Sequence, residues 1–154
     1  MNEGKTRILV DADACPVKDE VVRVADRHGL DVILVSNAWM RGPDHRLVQR
    51  ILVASGPDAA DDRIAEEAGR SDIVITNDIP LAARCLDKGA KVLRPNGKAI
   101  DKNSVGMAVA MRDLTAHLRD AGEITGGPAA FTPRDRSRFL DALENAVQAV
   151  KRGK

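Results

Sequence analysis

Aromatic side chains are almost missing from this chain. Trp39, Phe131 and Phe139 are all it has, 2% of its residues, and there is no Tyr. A protein that reads single strands by stacking bases on exposed rings needs more than that, so a stacking platform is excluded. Cysteine is scarce as well. Cys15 and Cys85 make neither a disulfide framework nor a metal-binding pattern, which points to a reduced compartment. The three histidines, His28, His45 and His117, are scattered and form no metal cluster. No apolar run approaches the roughly 20 residues of a membrane span. The opening "MNEGKTR" has no apolar signal core. These absences together predict a cytoplasmic protein with no membrane partner.

What remains is ordinary globular material: 154 residues, 44% hydrophobic and 31% charged. That is enough for one domain with a real core, expected over about residues 7–150 of the 1–154 chain with a short disordered tail at each end. Strand-like and helix-like segments alternate. "RILVDAD" (7–13), "DVILVSN" (31–37), "RILVASG" (50–56), "DIVITN" (72–77) and "KVLRP" (91–95) read as strands. They are continuous Val- and Ile-rich runs, the mark of strands covered on both faces. Between them, "PVKDEVVRVADRHG" carries Val17, Val21, Val24 and His28 on one stripe and ends at Gly29. "PDAADDRIAEEAG" has acids in its first turns, and "DIPLAARCLDKG" turns Ile79, Ala82, Ala83 and Leu86 inward. Such alternation predicts an α/β fold with a parallel sheet of about five strands and right-handed crossovers. After residue 100 the pattern is helical only. Met107, Met111, Leu114 and Leu118 share a stripe, a "TGGPAAF" connector follows, and a last helix opens with Thr132 as cap and Asp135 completing a capping box. Its core face would hold Phe139, Leu143, Ala146 and Val150.

Carboxylates recur at one kind of place. Asp11 and Asp13 follow the first strand, Asp58, Asp61 and Asp62 open the second long helix, and Asp78 follows the fourth strand. In an open parallel sheet, ligands collect beyond the carboxyl ends of the strands where the strand order reverses. If the order is 3-2-1-4-5, Asp11 and Asp78 face one crevice. Carboxylates crowded there repel one another unless a hard cation joins them, and Mg²⁺ or Mn²⁺ suits oxygen donors. One or two such ions would serve phosphodiester hydrolysis. Plainer readings stand beside this. Asp58, Asp61 and Asp62 also suit a helix N-terminus. Asp78 also suits an N-cap, and Asp13 a cap for the helix near Pro16. Asp11 has no helix to cap.

Three stretches carry a resemblance: Asp11 at its strand end, "ADD.IA" over 60–65 and "ITND.PLA" over 75–82. They resemble the PIN-like nuclease superfamily, and the Asp61–Asp62 doublet is similar to that of its flap-type 5′-nucleases. More closely, "DADACPVK", Ser36–Asn37, "DAADD", "TNDIPLA", "RPNGK", Gly126 to Pro128 and "DRSRF" resemble the YaiI/YqxD family of uncharacterised bacterial proteins. The likeness covers nearly all of 7–145. It implies a PIN-like three-layer sandwich of order 3-2-1-4-5 with C-terminal helices, and a Mg²⁺- or Mn²⁺-dependent nuclease. It also implies Asp11, Asp61, Asp62 and Asp78 as catalytic metal ligands, with Asp13 as a further one. A PIN-like protein that binds metal or nucleic acid without cutting is the alternative.

Two other chemistries were open to these residues. Strand–Asp-x-Asp also begins haloacid-dehalogenase-like phosphatases, with Asp11, Asp13 and Ser36 in the roles. However, no Lys lies between Asn37 and Asp78, and Pro16 starts a helix where that class inserts a flap. Cys15 sits at a helix start, which favours a thiolate, but no phosphate-cradling arginine follows closely, so a packed cysteine is the expectation.

Charge is unevenly spread. Seven acids between 58 and 78 (Asp58, Asp61, Asp62, Glu66, Glu67, Asp72 and Asp78) face only Arg63 and Arg70, a net of 2 − 7 = −5. Arg41, Arg46 and Arg50, then Arg94, Lys98 and Lys102, then Arg134, Arg136 and Arg138 make basic clusters elsewhere. An acidic pocket with a basic rim suits RNA or DNA as partner. Ser36, Asn37, Asn77, Arg41, Arg46, Lys98 and Lys102 are the expected substrate contacts. Arg134 and Arg136 alternatively hold the last helix through local acids. The sequence leaves a homo-oligomer open.

Overall fold

Strands buried on both faces need a layer of helices on each side, and this chain supplies both. The computed structural model describes residues 6–12, 15–37, 45–53, 59–107 and 131–152. The elements run β1 (Arg7–Asp11), α1 (Lys18–His28), β2 (Asp31–Ser36), β3 (Val48–Leu52), α2 (Ala59–Glu67), β4 (Ile73–Ile75), α3 (Ile79–Asp87), β5 (Lys91–Leu93), β6 (Ala99–Ile100), a helical stretch α4 over 102–107, and α5 (Pro133–Lys151). One sheet has the order β3-β2-β1-β4-β5-β6. Its first five strands are parallel, and β6 returns antiparallel beside β5.

Alternation across the pleat sorts the core into two. Ile8, Val10, Val32, Leu34, Ile73 and Ile75 pack with Val17, Val21 and Val24 of the α1 segment and with Phe139, Leu143 and Val147 of α5. Leu9, Ile33, Val35, Val74 and Val92 pack on the other face with Ile64 of α2 and Leu81 and Cys85 of α3. The Val stripe of α1 is buried as its spacing predicts, and Gly29 ends the helix in the left-handed region (φ 67°). The capping box of α5 is complete. Thr132 Oγ1 accepts the Asp135 N–H, and the Asp135 carboxylate accepts the Thr132 N–H. Phe139 and Leu143 are buried, while Ala146 and Val150 pack only partly and Val147 takes the fully buried place.

Polar ties orient the layers. Arg136 of α5 donates to the Pro16 carbonyl (2.9 Å) and to Glu20 (2.7 Å) at the start of α1. At the other end of the same helix pair, Glu144 meets Arg27 (3.0 Å) and His28 (2.9 Å). Helices α1 and α5 therefore run in the same direction. At the amino edge of the sheet, Arg7 forks onto Asp72 (2.9 and 3.2 Å) and reaches the Glu67 carboxylate (3.2 Å) and carbonyl (2.8 Å). Both acids and the Asp72-bound Gly69 N–H are thereby satisfied within the fold.

Several expected boundaries move. The third strand was expected at 50–56 but spans Val48–Leu52, because its register is set by pairing Val32↔Val48 through Ser36↔Leu52. It is an edge strand, half-exposed along its length, and not covered on both faces. The fourth strand stops at Ile75, where Thr76 turns toward α3. Helix α3 buries Cys85, as its mid-helix place among core positions leads one to expect, together with Ile79 and Ala82, but it buries Leu81 where Ala83 and Leu86 were expected. β6 was not expected at all. Gly97 (φ 91°) makes the reverse turn after β5 that creates it. Met107 is exposed. Met111, Leu114, Leu118, Trp39 and the "TGG" and Pro128–Ala130 parts of the connector lie outside the described residues. Among the described residues, no helix is long and apolar enough to cross a membrane.

Candidate functional site

The strand order reverses between β1 and β4, since β2 and β3 lie to one side and β5 and β6 to the other. The crevice expected for a ligand is therefore at the carboxyl ends of β1 and β4. The register Val10↔Ile75 sets the next residues, Asp11 and Thr76, side by side. Asp11 is the last residue of β1 and half-buried, so its charge sits at the rim of the core. Thr76 is buried to 2% exposure. Its hydroxyl donates to Asp11 Oδ2 (3.0 Å) and accepts the Asp78 N–H (3.0 Å). One hydroxyl thus joins the end of β1 to the loop after β4.

Asp78 then caps α3. Its backbone is extended (φ −81°, ψ 111°), and Oδ1 accepts the Leu81 N–H (2.9 Å), with Pro80 in the first turn. The capping reading of Asp78 is correct, and it uses one oxygen. Among the described residues, Oδ2 has no hydrogen-bond partner. Asn77, between Thr76 and Asp78, is exposed.

The doublet on α2 divides. Asp62 is exposed and paired with Arg84 of α3 (Nη1 to Oδ1, 2.9 Å). That contact raises the Arg84 guanidinium above its ordinary pKa, with Asp61 adding a smaller push. Asp61 is half-buried, and its charge also acts on the Cys85 thiol of α3. Asp13, Asp58 and Arg41 lie outside the described residues. Among the described residues, no group of three or more His, Cys, Asp or Glu side chains is gathered closely enough to hold a metal ion. The donors at the crevice fit a hard cation by type, because Mg²⁺ commonly keeps several waters and takes only one or two protein carboxylates.

The expected substrate contacts separate by edge. Ser36 ends β2 at the carboxyl edge but is buried to 8%, and its carbonyl accepts the Val53 N–H. Asn37 follows it and is exposed. Lys98 is exposed in the turn beyond β5, also at the carboxyl edge. Arg46 and Lys102 are elsewhere. Arg46 precedes β3, whose first residue pairs with Val32 near the start of β2, so it stands at the amino edge. Lys102 follows β6, which runs back from the carboxyl edge, and so leaves at the amino edge too. The acidic stretch is likewise less uniform than its net charge implied, because Glu67 and Asp72 are engaged by Arg7 at the amino edge.

Cys15 is buried, and burial pushes its thiol up to about 11. It is a packed side chain and not a nucleophile. Burial likewise holds Cys85 up at about 11. A cavity of about 570 Å³ between the β5–β6 hairpin and α5 is lined largely by apolar side chains such as Val92, Ile100 and Ala146, and contains none of the crevice carboxylates. Thr76 is the residue whose role the sequence pattern did not disclose. Its signal was a hydroxyl placed between an apolar strand and an acidic cap, which is also how an ordinary strand end reads.

Comparison with known proteins gives a family without an assigned activity. The model of the family described as "Uncharacterized BCR, YaiI/YqxD family" matches residues 9–149. A UPF0178 protein of Parvibaculum lavamentivorans is 59% identical over 147 residues, covering 96% of this chain and 97% of the relative. UPF0178 proteins of Rhodospirillum rubrum (58% over 149 residues, 96% and 99% covered) and Nitrobacter winogradskyi (57% over 146 residues, 95% and 93% covered) are similar along the same length. No solved structure matches.

Proposed function

The chain belongs to the YaiI/YqxD family, and from that premise we propose that it is a divalent-cation-dependent phosphodiesterase of PIN-like type acting on RNA or DNA. The observation that carries the reading is the Asp11–Thr76–Asp78 linkage at the strand-order reversal. Two carboxylates beyond adjoining strands, Asp11 held by the buried Thr76 hydroxyl and Asp78 by the Leu81 N–H, are oxygen donors of the kind a hard cation takes. Asp11 and Asp78 would hold it, with Asp13, Asp61 and Asp62 as the neighbouring acids. Mg²⁺ or Mn²⁺, when bound, would activate a water and stabilise the attacking and leaving oxygens of a phosphodiester. Thr76 keeps Asp11 oriented by donating to Oδ2. Asp78 is oriented by the Leu81 N–H, which engages one oxygen and leaves the other without a hydrogen bond among the described residues.

Asp78→Asn isolates the charge, because Asn caps a helix as well as Asp does. The variant is expected to melt like wild type, to bind Mn²⁺ more weakly in calorimetry, and to lose cleavage of labelled single-stranded, duplex and flap substrates. A wild-type protein that binds no divalent ion refutes the proposal. A second reading, a module that binds metal or nucleic acid without cutting, is favoured by the Asp62–Arg84 pair, which ties up one of the expected ligands. Mn²⁺ binding with no substrate cut would select it.

A further inference from the structure

We propose that the β5–β6 turn and the first two turns of α5 form a phosphate-tracking surface, built by Arg94, Lys98, Arg134 and Arg138, along which a nucleic-acid backbone approaches the Asp11–Asp78 crevice. The proposal deepens the phosphodiesterase reading and rests on it for the direction of approach. Three observations bring these cations together. Gly97 packs so tightly on α5 that a Cβ there would lie 2.7 Å from the Arg138 carbonyl carbon and oxygen. The turn carrying Arg94 and Lys98 is therefore fixed against the helix. The Asp135 carboxyl is held below its usual range, first by the Thr132 N–H, with smaller contributions from the charges of Arg138 and Lys98. Arg136 reaches Pro16, which follows β1, so the start of α5 stands at the carboxyl edge with the carboxylates.

Helix geometry then divides the three arginines of "RDRSR". Arg134 and Arg138 are four residues apart and share a face. Arg136 lies about 200° around from Arg134 on a helix advancing 100° per residue, and is committed to Glu20 and the Pro16 carbonyl. Among the described residues, Arg94, Lys98, Arg134 and Arg138 have no ion-pair partner. The acid beside Arg138 and Lys98, Asp135, is already engaged in the capping box. Four cations around the single acid Asp135 leave an excess of positive charge at one edge, and the half-buried Phe131 ring beside them is covered by Arg136 (5.0 Å), which suits a repeating phosphate chain read by charge and not by base stacking.

The test is anisotropy of fluorescein-labelled single-stranded RNA, single-stranded DNA and duplex DNA of mixed sequence, titrated across salt concentrations in EDTA. EDTA separates binding from metal chemistry. For Lys98→Gln/Arg138→Gln, the slope of log K against log salt is expected to shrink by about 0.7 to 0.9 for each contact removed. Lys98→Arg/Arg138→Lys should restore it. Arg70→Gln makes the same kind of charge change at the amino edge, just before β4, and should leave the slope unchanged. The polymer losing most identifies the backbone preferred. Equal losses for Arg70→Gln, or no salt-dependent binding to any of the three probes, overturns the proposal. A protein that binds through these residues but never cleaves with Mn²⁺ refutes the catalytic reading and leaves the surface supported.

Discussion

Thr76→Val tests the linkage at the centre of the site with little change of shape, since Val replaces the hydroxyl by a methyl and opens no cavity. The wild-type hydroxyl makes two hydrogen bonds of 3.0 Å, one to a carboxylate and one from a backbone N–H. A bond to a charged group contributes about 1.5–3 kcal/mol, and a buried donor left unpaired costs about 1–3 kcal/mol. Asp11 is only half-buried and regains water, so its share falls at the low end. The expected loss is about 2–4 kcal/mol. Thr76→Ser keeps both bonds and deletes one methyl, with an expected cost of about 1 kcal/mol. Urea unfolding of the two variants beside wild type, with equal slopes, gives the comparison directly. Thr76→Val no less stable than Thr76→Ser would refute the bridging role. The same pair splits function from stability: Thr76→Ser should keep Mn²⁺ binding and Thr76→Val should lose it.

Three further outcomes are expected. Arg7→Met removes the partner of Asp72, whose side chain is 6% exposed, and should cost about 3–5 kcal/mol in urea unfolding, with Arg7→Met/Asp72→Asn recovering part of it. Recovery of nothing by the double variant would mean the damage is steric. Gly97→Ala combines a positive φ with the clash against Arg138, and a loss of about 1–3 kcal/mol by thermal or urea unfolding is expected; a neutral result would show that the hairpin can lift off α5 freely. The Glu144 carboxyl is held below its usual range, first by the His28 hydrogen bond and then by Gln148. A carboxylate with a depressed folded pKa contributes stability that is complete above its unfolded pKa and lost as pH falls through the folded one. Wild type should therefore lose more stability on acidification than Glu144→Gln. Parallel pH profiles would contradict that assignment.

Local signals were legible where they fully specify local structure. The Val stripe of α1, its Gly29 stop and the Thr132–Asp135 capping box each need only near neighbours, and each is where the spacing puts it. Burial of the thiol of Cys15 was legible for the same reason. What was not legible depends on partners far along the chain. β3 takes its register from β2, so its own apolar run misplaces its ends. β6 pairs with β5 through the Gly97 turn, which lies close against α5, a contact with residues far along the chain that the local pattern does not carry. Its reversal sends Lys102 away from Lys98, which no count of basic residues would show. Glu67 and Asp72 looked like part of one acidic pocket until Arg7, 60 and 65 residues distant, claimed them. The placement of Asp11 and Asp78 beyond neighbouring strands could be read from position, whereas the hydrogen bonds of Thr76 needed the pairing of β1 with β4.

The placement of α5 has a consequence for the order in which the molecule can be made. Phe139, Leu143 and Val147 are fully buried against Ile8, Val10 and their neighbours on one face of the sheet. Those strand residues are synthesised well before the helix that helps to cover them. Until α5 emerges, only α1 covers this face among the described residues, and the part left wet is the kind of apolar surface that recruits chaperones or aggregates. The contacts that complete this face also span most of the chain, which slows folding. Helix α5 therefore completes a core that the earlier elements only begin, and a chain stalled before it should expose that apolar face.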